Sequence, residues 1–119
     1  MTPFVVTAVD WFNAYRRNAL ETLIRLYDDD ATQACACDSR KVIAGKHALR
    51  AYWIDHFTKY PIDGLEGLKS EGDGASVSYR SNNSVVQARL IFNEQGKIAH
   101  VICGLEGLQI RHPGNPAAK

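Results

Sequence analysis

The sequence has little of what would assign it to a specialised class of protein. It contains three cysteines, four prolines and one methionine in 119 residues, and its formal net charge is +1. An odd cysteine count without a secretion signal indicates free thiols in a reducing compartment rather than a disulfide scaffold. No apolar run is long enough to span a membrane. We therefore expect a cytoplasmic protein that folds without disulfides and does not bind a membrane.

Clusters of basic or metal-binding residues are also missing. Arg16-Arg17 and Arg40-Lys41 are isolated pairs in mixed surroundings, so a basic patch that binds nucleic acid is not expected. The segment Cys35-Ala36-Cys37, even with Cys103, lacks the matched pairs of a structural zinc site. We expect no metal, no cofactor and no nucleic acid partner.

The N-terminal part of the chain carries two helical patterns. Thr2 and Pro3 fit the N-cap and first residue of one helix. Asn18 fits the N-cap of another, with Glu21 at the capping-box position. The second helix is expected to end at Asp28-Asp29-Asp30, because acidic side chains at a helix C-terminus oppose the macrodipole. The two apolar faces are Phe4, Ala8, Trp11, Phe12 and Tyr15, and then Leu20, Leu23, Ile24 and Tyr27.

A third helical pattern and several strand patterns follow. Gly45 and Pro61 bracket the helix, whose apolar side consists of Leu49, Tyr52, Trp53, His56, Phe57 and Tyr60. Asn82-Asn83 predicts a tight hairpin turn, because asparagine tolerates positive φ. The predicted strands are 31–37, 41–44, 64–70, 75–80, 84–93 and 97–111. Together these patterns predict one α+β domain over residues 1–111 and a flexible tail at 112–119.

Three short segments carry a family resemblance. They are Leu26-Tyr27-Asp28-Asp29-Asp30-Ala31-Thr32, Gly45 with Leu49 and Trp53, and Phe92-Asn93 with Gly96-Lys97-Ile98. In this order the chain resembles the nuclear transport factor 2-like superfamily, especially its SnoaL-like and steroid-isomerase-like branches, over about residues 4–110. The resemblance implies a cone-shaped, curved, mostly antiparallel sheet with three helices packed in its concave face.

The resemblance also implies a candidate site inside the cone. Its ligand-binding residues would be Trp11, Tyr15, Trp53, Phe57, Ala88, Val101, Cys103 and Leu105. This largely apolar and aromatic set predicts that the protein binds a small apolar molecule. Tyr27, Asp30 and Cys35 are the candidate catalytic residues. The alternative is that these side chains simply fill the interior.

The resemblance leaves the question of enzymatic activity open. At the positions where steroid isomerases carry a tyrosine and two acids, this chain has Trp11, Cys35 and Ala88, so that chemistry is not expected. Asp30, Arg80 and Arg89 are partial counterparts of the Asp-Arg-Asp set of limonene epoxide hydrolase. Strand alternation, however, directs Arg89 away from the interior.

Each polar candidate also has a structural interpretation. Asp28 to Asp30 could form a turn in which the carboxylates accept backbone hydrogen bonds. Cys35 and Cys103 could be a nucleophile or redox pair, or simply small buried hydrophobes. His56 could act as a general base, or it could lie at the rim.

The convex sheet face is the expected site of self-association. It would carry Gln87, Arg89, Ile91, His100 and Ile102, and the apolar residues among these motivate a homodimer through this face. A non-catalytic interaction or assembly module that uses the same face is the alternative function.

Overall fold

Three helices and six strands make up residues 3–35 and 41–105, the residues that this computed structural model describes. The helices are α1 (Pro3–Arg16), α2 (Leu20–Arg25) and α3 (Lys46–Lys59). The strands are β1 (Tyr27–Cys35), β2 (Lys41–Ala44), β3 (Gly64–Glu71), β4 (Gly74–Ser81), β5 (Ser84–Phe92) and β6 (Ile98–Leu105). The described residues do not include the predicted N-cap Thr2, the ends of the predicted strands 31–37 and 97–111, or the predicted tail at 112–119.

The strands form one open sheet in the order β2-β1-β6-β5-β4-β3. Strands β1 and β6 run parallel, and every other neighbouring pair is antiparallel. The prediction of an α+β fold with three helices and a mostly antiparallel sheet is confirmed.

Alternation along the strands separates an inner face, which packs against the helices, from an outer face. The register places Val77 beside Ala88, and Ala88 beside Cys103, and all three side chains are buried on the inner face. Trp11 of α1 lies against Tyr79 of the same face, with ring centroids 6.3 Å apart. The residues predicted for the opposite face are exposed or half-buried: Gln87, Arg89, Ile91, His100 and Ile102.

The connection between α1 and α2 differs from the prediction. Asn18 does not cap α2; it adopts a positive φ of 57° just after α1. Its N–H donates to the Tyr15 carbonyl, and the Ala19 N–H donates to the Ala14 carbonyl, a Schellman arrangement that closes α1. Asparagine suits this position because its short polar side chain tolerates the left-handed conformation. The capping-box prediction for Glu21 is also wrong, because its carboxylate accepts two hydrogen bonds from Arg50 of α3 instead.

Tyr27 and the three aspartates lie on a strand, although the sequence predicts that the helix continues through Tyr27. Helix α2 ends at Arg25, and Tyr27 pairs with Ile98 at the start of β6. The pairing between β1 and β6 shifts register between Tyr27 and Thr32, so the aspartates occupy an irregular part of the ladder. The Tyr27 side chain is completely buried. This tertiary packing outweighs the helix-like spacing of Tyr27 from the apolar residues before it.

The other local predictions agree with the structure. Gly45 precedes α3 with a φ of 86°, and α3 ends at Lys59, just before Pro61. Asn82 and Asn83 both have positive φ, as a type I′ hairpin turn requires. Within the described ranges, no helix combines the length and apolar character needed to cross a membrane. The cytoplasmic location stays a prediction.

Candidate binding site

The interior between the helices and the sheet holds an aromatic cluster of Trp11, Tyr15, Trp53 and Tyr79. The centroids of Trp11 and Trp53 are 5.9 Å apart, and those of Tyr15 and Trp53 are 4.8 Å apart, both edge to face. Tyr15 also meets Tyr79 edge to face at 5.4 Å. All four side chains are buried. Three of the predicted ligand-binding residues are therefore brought together, packed ring against ring.

The remaining predicted ligand-binding residues lie around this cluster. Phe57 is half-buried at its edge, 5.8 Å from Trp53. Ala88, Val101 and Cys103 are buried on the inner face of β5 and β6. Leu105 ends β6, and its side chain lies outside the described set.

A directional chain of hydrogen bonds, the donor chain, runs from the cluster onto β1. The Trp11 indole Nε1–H donates to the Tyr27 hydroxyl at 3.1 Å, and the Tyr27 hydroxyl donates to Gln33 Oε1 at 2.5 Å. The indole can only donate, and the Tyr27 hydroxyl accepts this bond while it donates its own hydrogen to Gln33 Oε1. In this orientation the carbonyl end of the Gln33 amide meets Tyr27, and its NH₂ end is a further donor.

The last donor in this chain has no acceptor among the described residues. Gln33 is only 1% exposed, and no described atom accepts a hydrogen bond from its Nε2. The Trp53 indole Nε1–H likewise has no hydrogen-bond partner among the described residues. A buried donor without an acceptor costs about 1–3 kcal/mol. The described interior therefore contains two buried N–H donors whose hydrogen bonds are not made.

Tyr27 is a neutral phenol in this environment. Burial raises the pKa of its hydroxyl well above the ordinary value of 10.0, and this effect outweighs the opposing influence of the Trp11 and Trp53 N–H groups. Burial also raises the pKa of Tyr79 well above 10.0. Tyr27 can therefore donate and accept hydrogen bonds at neutral pH, but it cannot serve as a phenolate base.

We expect Tyr27 and Tyr79 to ionise only when the protein unfolds. Their pKa values are higher in the folded state than the ordinary 10.0. The stability from their neutral forms is thus fully present below pH 10.0 and is lost as the pH rises from that value towards the folded-state pKa. An alkaline titration that follows phenolate absorbance and circular dichroism together checks this. Ionisation of all five tyrosines with native circular dichroism retained would contradict the expectation.

Of the three candidate catalytic residues, the described structure brings only Tyr27 into the buried site. The Asp30 side chain is exposed on the irregular part of β1. Cys35 pairs with Cys103 in the parallel β1–β6 register, but its side chain is outside the described set. Cys103 is buried, and it lies close enough to Tyr27 to influence the pKa of that phenol.

Asp28 is half-buried, whereas the other aspartates of this segment and the two candidate arginines are exposed. Asp28 has the structural role considered from the sequence: its carboxylate accepts from the Asp30 N–H and from Asn93 Nδ2. Arg80 and Arg89 are exposed, and Arg80 pairs with Glu66. The carboxylate and the two guanidinium groups considered for epoxide hydrolysis thus stay outside the buried site.

His56 is buried rather than at the rim, with 3% of its surface exposed. Its ring stacks on Tyr52 at 4.9 Å and lies 4.7 Å from Tyr60. Among the described residues, no three His, Cys, Asp or Glu side chains are grouped so that they could hold a metal ion.

Gln33 is the site residue that the sequence predictions missed. A usable signal was present, because Gln33 shares strand parity with Ala31 and Cys35, and Cys35 was expected to point inward. A glutamine that alternates into an aromatic interior is unusual enough to indicate a polar contact there.

The fold has close counterparts among solved structures. A SnoaL-like protein of unknown function from Burkholderia thailandensis matches 90% of this chain and 98% of its own, with 14% identity and a TM-score of 0.76. A candidate isomerase of the SnoaL-like family from Agrobacterium tumefaciens matches 90% and 100%, with 16% identity and a TM-score of 0.71. A candidate polyketide cyclase from Sinorhizobium meliloti matches 82% and 92%, with 17% identity and a TM-score of 0.71.

Sequence comparison adds nothing to these structural matches, since no protein-family model and no curated protein matches the chain. The three structural matches cover 82% to 90% of this chain. Identities below one fifth establish the fold and leave the activity open. The chain has the same fold as these SnoaL-like proteins.

Proposed function

We propose that this protein binds a small, largely apolar molecule at the aromatic cluster and the donor chain. The observation that carries the proposal is Gln33 Nε2, a buried donor without an acceptor at the end of an ordered chain. A core whose only role is packing would place an apolar side chain there and avoid the cost of an unmatched polar group. The surrounding rings would supply the apolar contact area of a ligand site.

Entry of a ligand requires side chains to move, because Trp11, Tyr15 and Trp53 are almost completely buried. The half-buried side chains of Tyr52 and Phe57, both on α3, mark the edge of the cluster nearest the surface. We propose that the molecule enters along this edge and displaces these rings. Any isomerase-type or cyclase-type conversion would use the Tyr27 hydroxyl as a neutral hydrogen-bonding acid.

The binding proposal predicts a response of the two indole N–H groups to small aromatic probes. We expect 2-acetylnaphthalene or 2-ethylnaphthalene to shift the ¹H–¹⁵N signals of both Trp11 and Trp53 saturably, with one molecule bound per chain. The backbone amide of Gln95, in the exposed turn between β5 and β6, is a suitable internal control. Unchanged indole signals with both probes up to their solubility limits would overturn the binding proposal.

We also propose that two copies of the chain associate through the outer face. The register aligns Val42, Ala34 and Ile102 across β2, β1 and β6, and Val42 is 66% exposed. This apolar row at the sheet surface favours a second copy as its cover. It is also the observation that favours the alternative function, a non-catalytic assembly module.

Sedimentation of the protein at micromolar concentration tests the dimer. We expect twice the chain mass, and we expect Val42→Asp to yield the monomer mass with the fold retained, because it places a charge in the apolar row. A strictly monomeric mass for the unmodified protein would refute the association.

A further inference from the structure

We infer that Gln33 determines specificity by donating a hydrogen bond from Nε2 to an uncharged oxygen of the ligand, such as a ketone, ester or lactone carbonyl. This inference rests on the proposed function, because it names the atom that the binding site recognises. It goes further in that it predicts which molecules bind and which residue distinguishes them.

The direction of the hydrogen bonds in the donor chain requires that the ligand offer a hydrogen-bond acceptor. Trp11 donates to the Tyr27 hydroxyl, and Tyr27 donates to Gln33 Oε1, so the amide of Gln33 has only its NH₂ group left to offer. The chain therefore ends in an N–H and not in a carbonyl, and only an acceptor atom can complete it. Each hydrogen bond in such a chain polarises the next, which makes the terminal N–H a stronger donor than an isolated amide.

The position of Trp53 supports the same choice. Its buried indole Nε1–H also has no hydrogen-bond partner among the described residues. The described interior thus offers unmatched donors on both β1 and α3, and each of them requires an acceptor atom. A ligand that presents a hydroxyl proton or an amine towards these groups would have no acceptor to receive it.

The surroundings favour an uncharged oxygen over a carboxylate. The described buried polar side chains are Gln33, His56, Ser76 and Ser81, so the described interior contains no lysine or arginine. The one basic group among them, His56, is packed between the rings of Tyr52 and Tyr60. Transfer of a carboxylate into such an interior without a fixed cation is costly.

Three probes of similar shape test the inference: 2-acetylnaphthalene, 2-ethylnaphthalene and 2-naphthoate. We expect the ketone to bind about tenfold more tightly than the hydrocarbon, which is the effect of one additional hydrogen bond at a buried site. We expect the carboxylate to bind more weakly than the ketone at neutral pH. The Gln33 NH₂ signals should shift with the ketone and move little with the hydrocarbon.

Gln33→Met tests the residue, since methionine has a similar length and no amide. In this variant the ketone and the hydrocarbon should bind with about equal affinity, so the tenfold preference should be lost. Gln87→Met is the matched control, because Gln87 lies half-buried on the outer face, and it should keep the preference. If Gln33→Met does not fold, the NH₂ signals of Gln33 in the unmodified protein decide the question.

The possible results separate the two proposals. Absence of binding by the ketone and the hydrocarbon overturns the proposed function itself. Equal affinity for ketone and hydrocarbon, as expected if a buried water satisfies Nε2, overturns the inference and leaves ligand binding in place. The inference would also be overturned if 2-naphthoate bound most tightly of the three probes. It would be overturned if Gln33→Met kept the preference for the ketone over the hydrocarbon, or if the ketone did not shift the Gln33 NH₂ signals.

Discussion

Replacement of Trp53 by alanine is expected to destabilise the protein by about 3–5 kcal/mol, the usual cost of truncating a large buried aromatic side chain. The indole of Trp53 packs against Trp11 and Tyr15 of α1 and against His56 of its own helix. Its loss would leave a void between the two helices and the Tyr27 hydroxyl. Because domains of this size are stable by about 5–15 kcal/mol, the variant would lose a large share of its stability. Urea unfolding monitored by circular dichroism measures the change.

The neighbouring residue provides the control. Ile54 follows Trp53 on α3 and is 58% exposed. Ile54→Ala should therefore change the free energy of unfolding by no more than about 0.5 kcal/mol. Equal losses in the two variants would show that truncation weakens α3 in general and that the aromatic cluster does not depend on the Trp53 ring. Where Trp53→Ala is still folded, the Trp11 indole signal should no longer respond to the naphthalene probes.

Gly74→Ala should be at least as damaging, for a reason that concerns the backbone. A Cβ atom at this position would lie 1.9 Å from the Leu90 carbonyl oxygen and 3.2 Å from the Ile91 Cα. Both atoms belong to the neighbouring strand β5, so the clash cannot be relieved by rotating a side chain. Strands β4 and β5 would have to separate at their paired ends, and we expect a loss of at least about 3 kcal/mol. Urea unfolding and amide hydrogen exchange in β4 and β5 measure the effect.

A second glycine separates this clash from the general effect of a glycine-to-alanine change. Gly64 begins β3, and a Cβ there would meet no atom within 4 Å. Gly64→Ala should leave stability unchanged or raise it by up to about 1 kcal/mol, because alanine restricts the unfolded chain. A neutral Gly74→Ala would mean that the two strands are not in this close contact.

The sequence contained enough information to predict most of the fold. The aromatic stripe of α1, the Gly45 and Pro61 boundaries of α3 and the asparagine pair between β4 and β5 depend on local chemistry, so local patterns located them correctly. Asn18 was misassigned because asparagine suits both an N-cap and a left-handed helix end. The distinction depends on where α1 ends, and local sequence determines this only loosely.

The candidate site was harder to predict than the fold, and Tyr27 illustrates why. Its spacing from Leu23 and Ile24 fits a helical face, yet its ring is buried from a strand that pairs with β6, far along the chain. No local pattern carries that information. Gln33 is different, since strand alternation could have indicated its inward position. What could not be read from the sequence is that its amide is oriented by Tyr27 and Trp11, because that depends on the packing of α1 against β1.

The parallel pairing of β1 with β6 also determines when this protein can fold during synthesis. The Thr32 hydroxyl is hydrogen-bonded to His100, 68 residues later, and the other neighbour of β1 is the four-residue strand β2. Until β6 leaves the ribosome, β1 has no long partner, and Tyr27 and Gln33 cannot be enclosed. Contacts between distant residues slow folding. The aromatic side chains of α1 therefore remain exposed to chaperones and to aggregation until β6 is made.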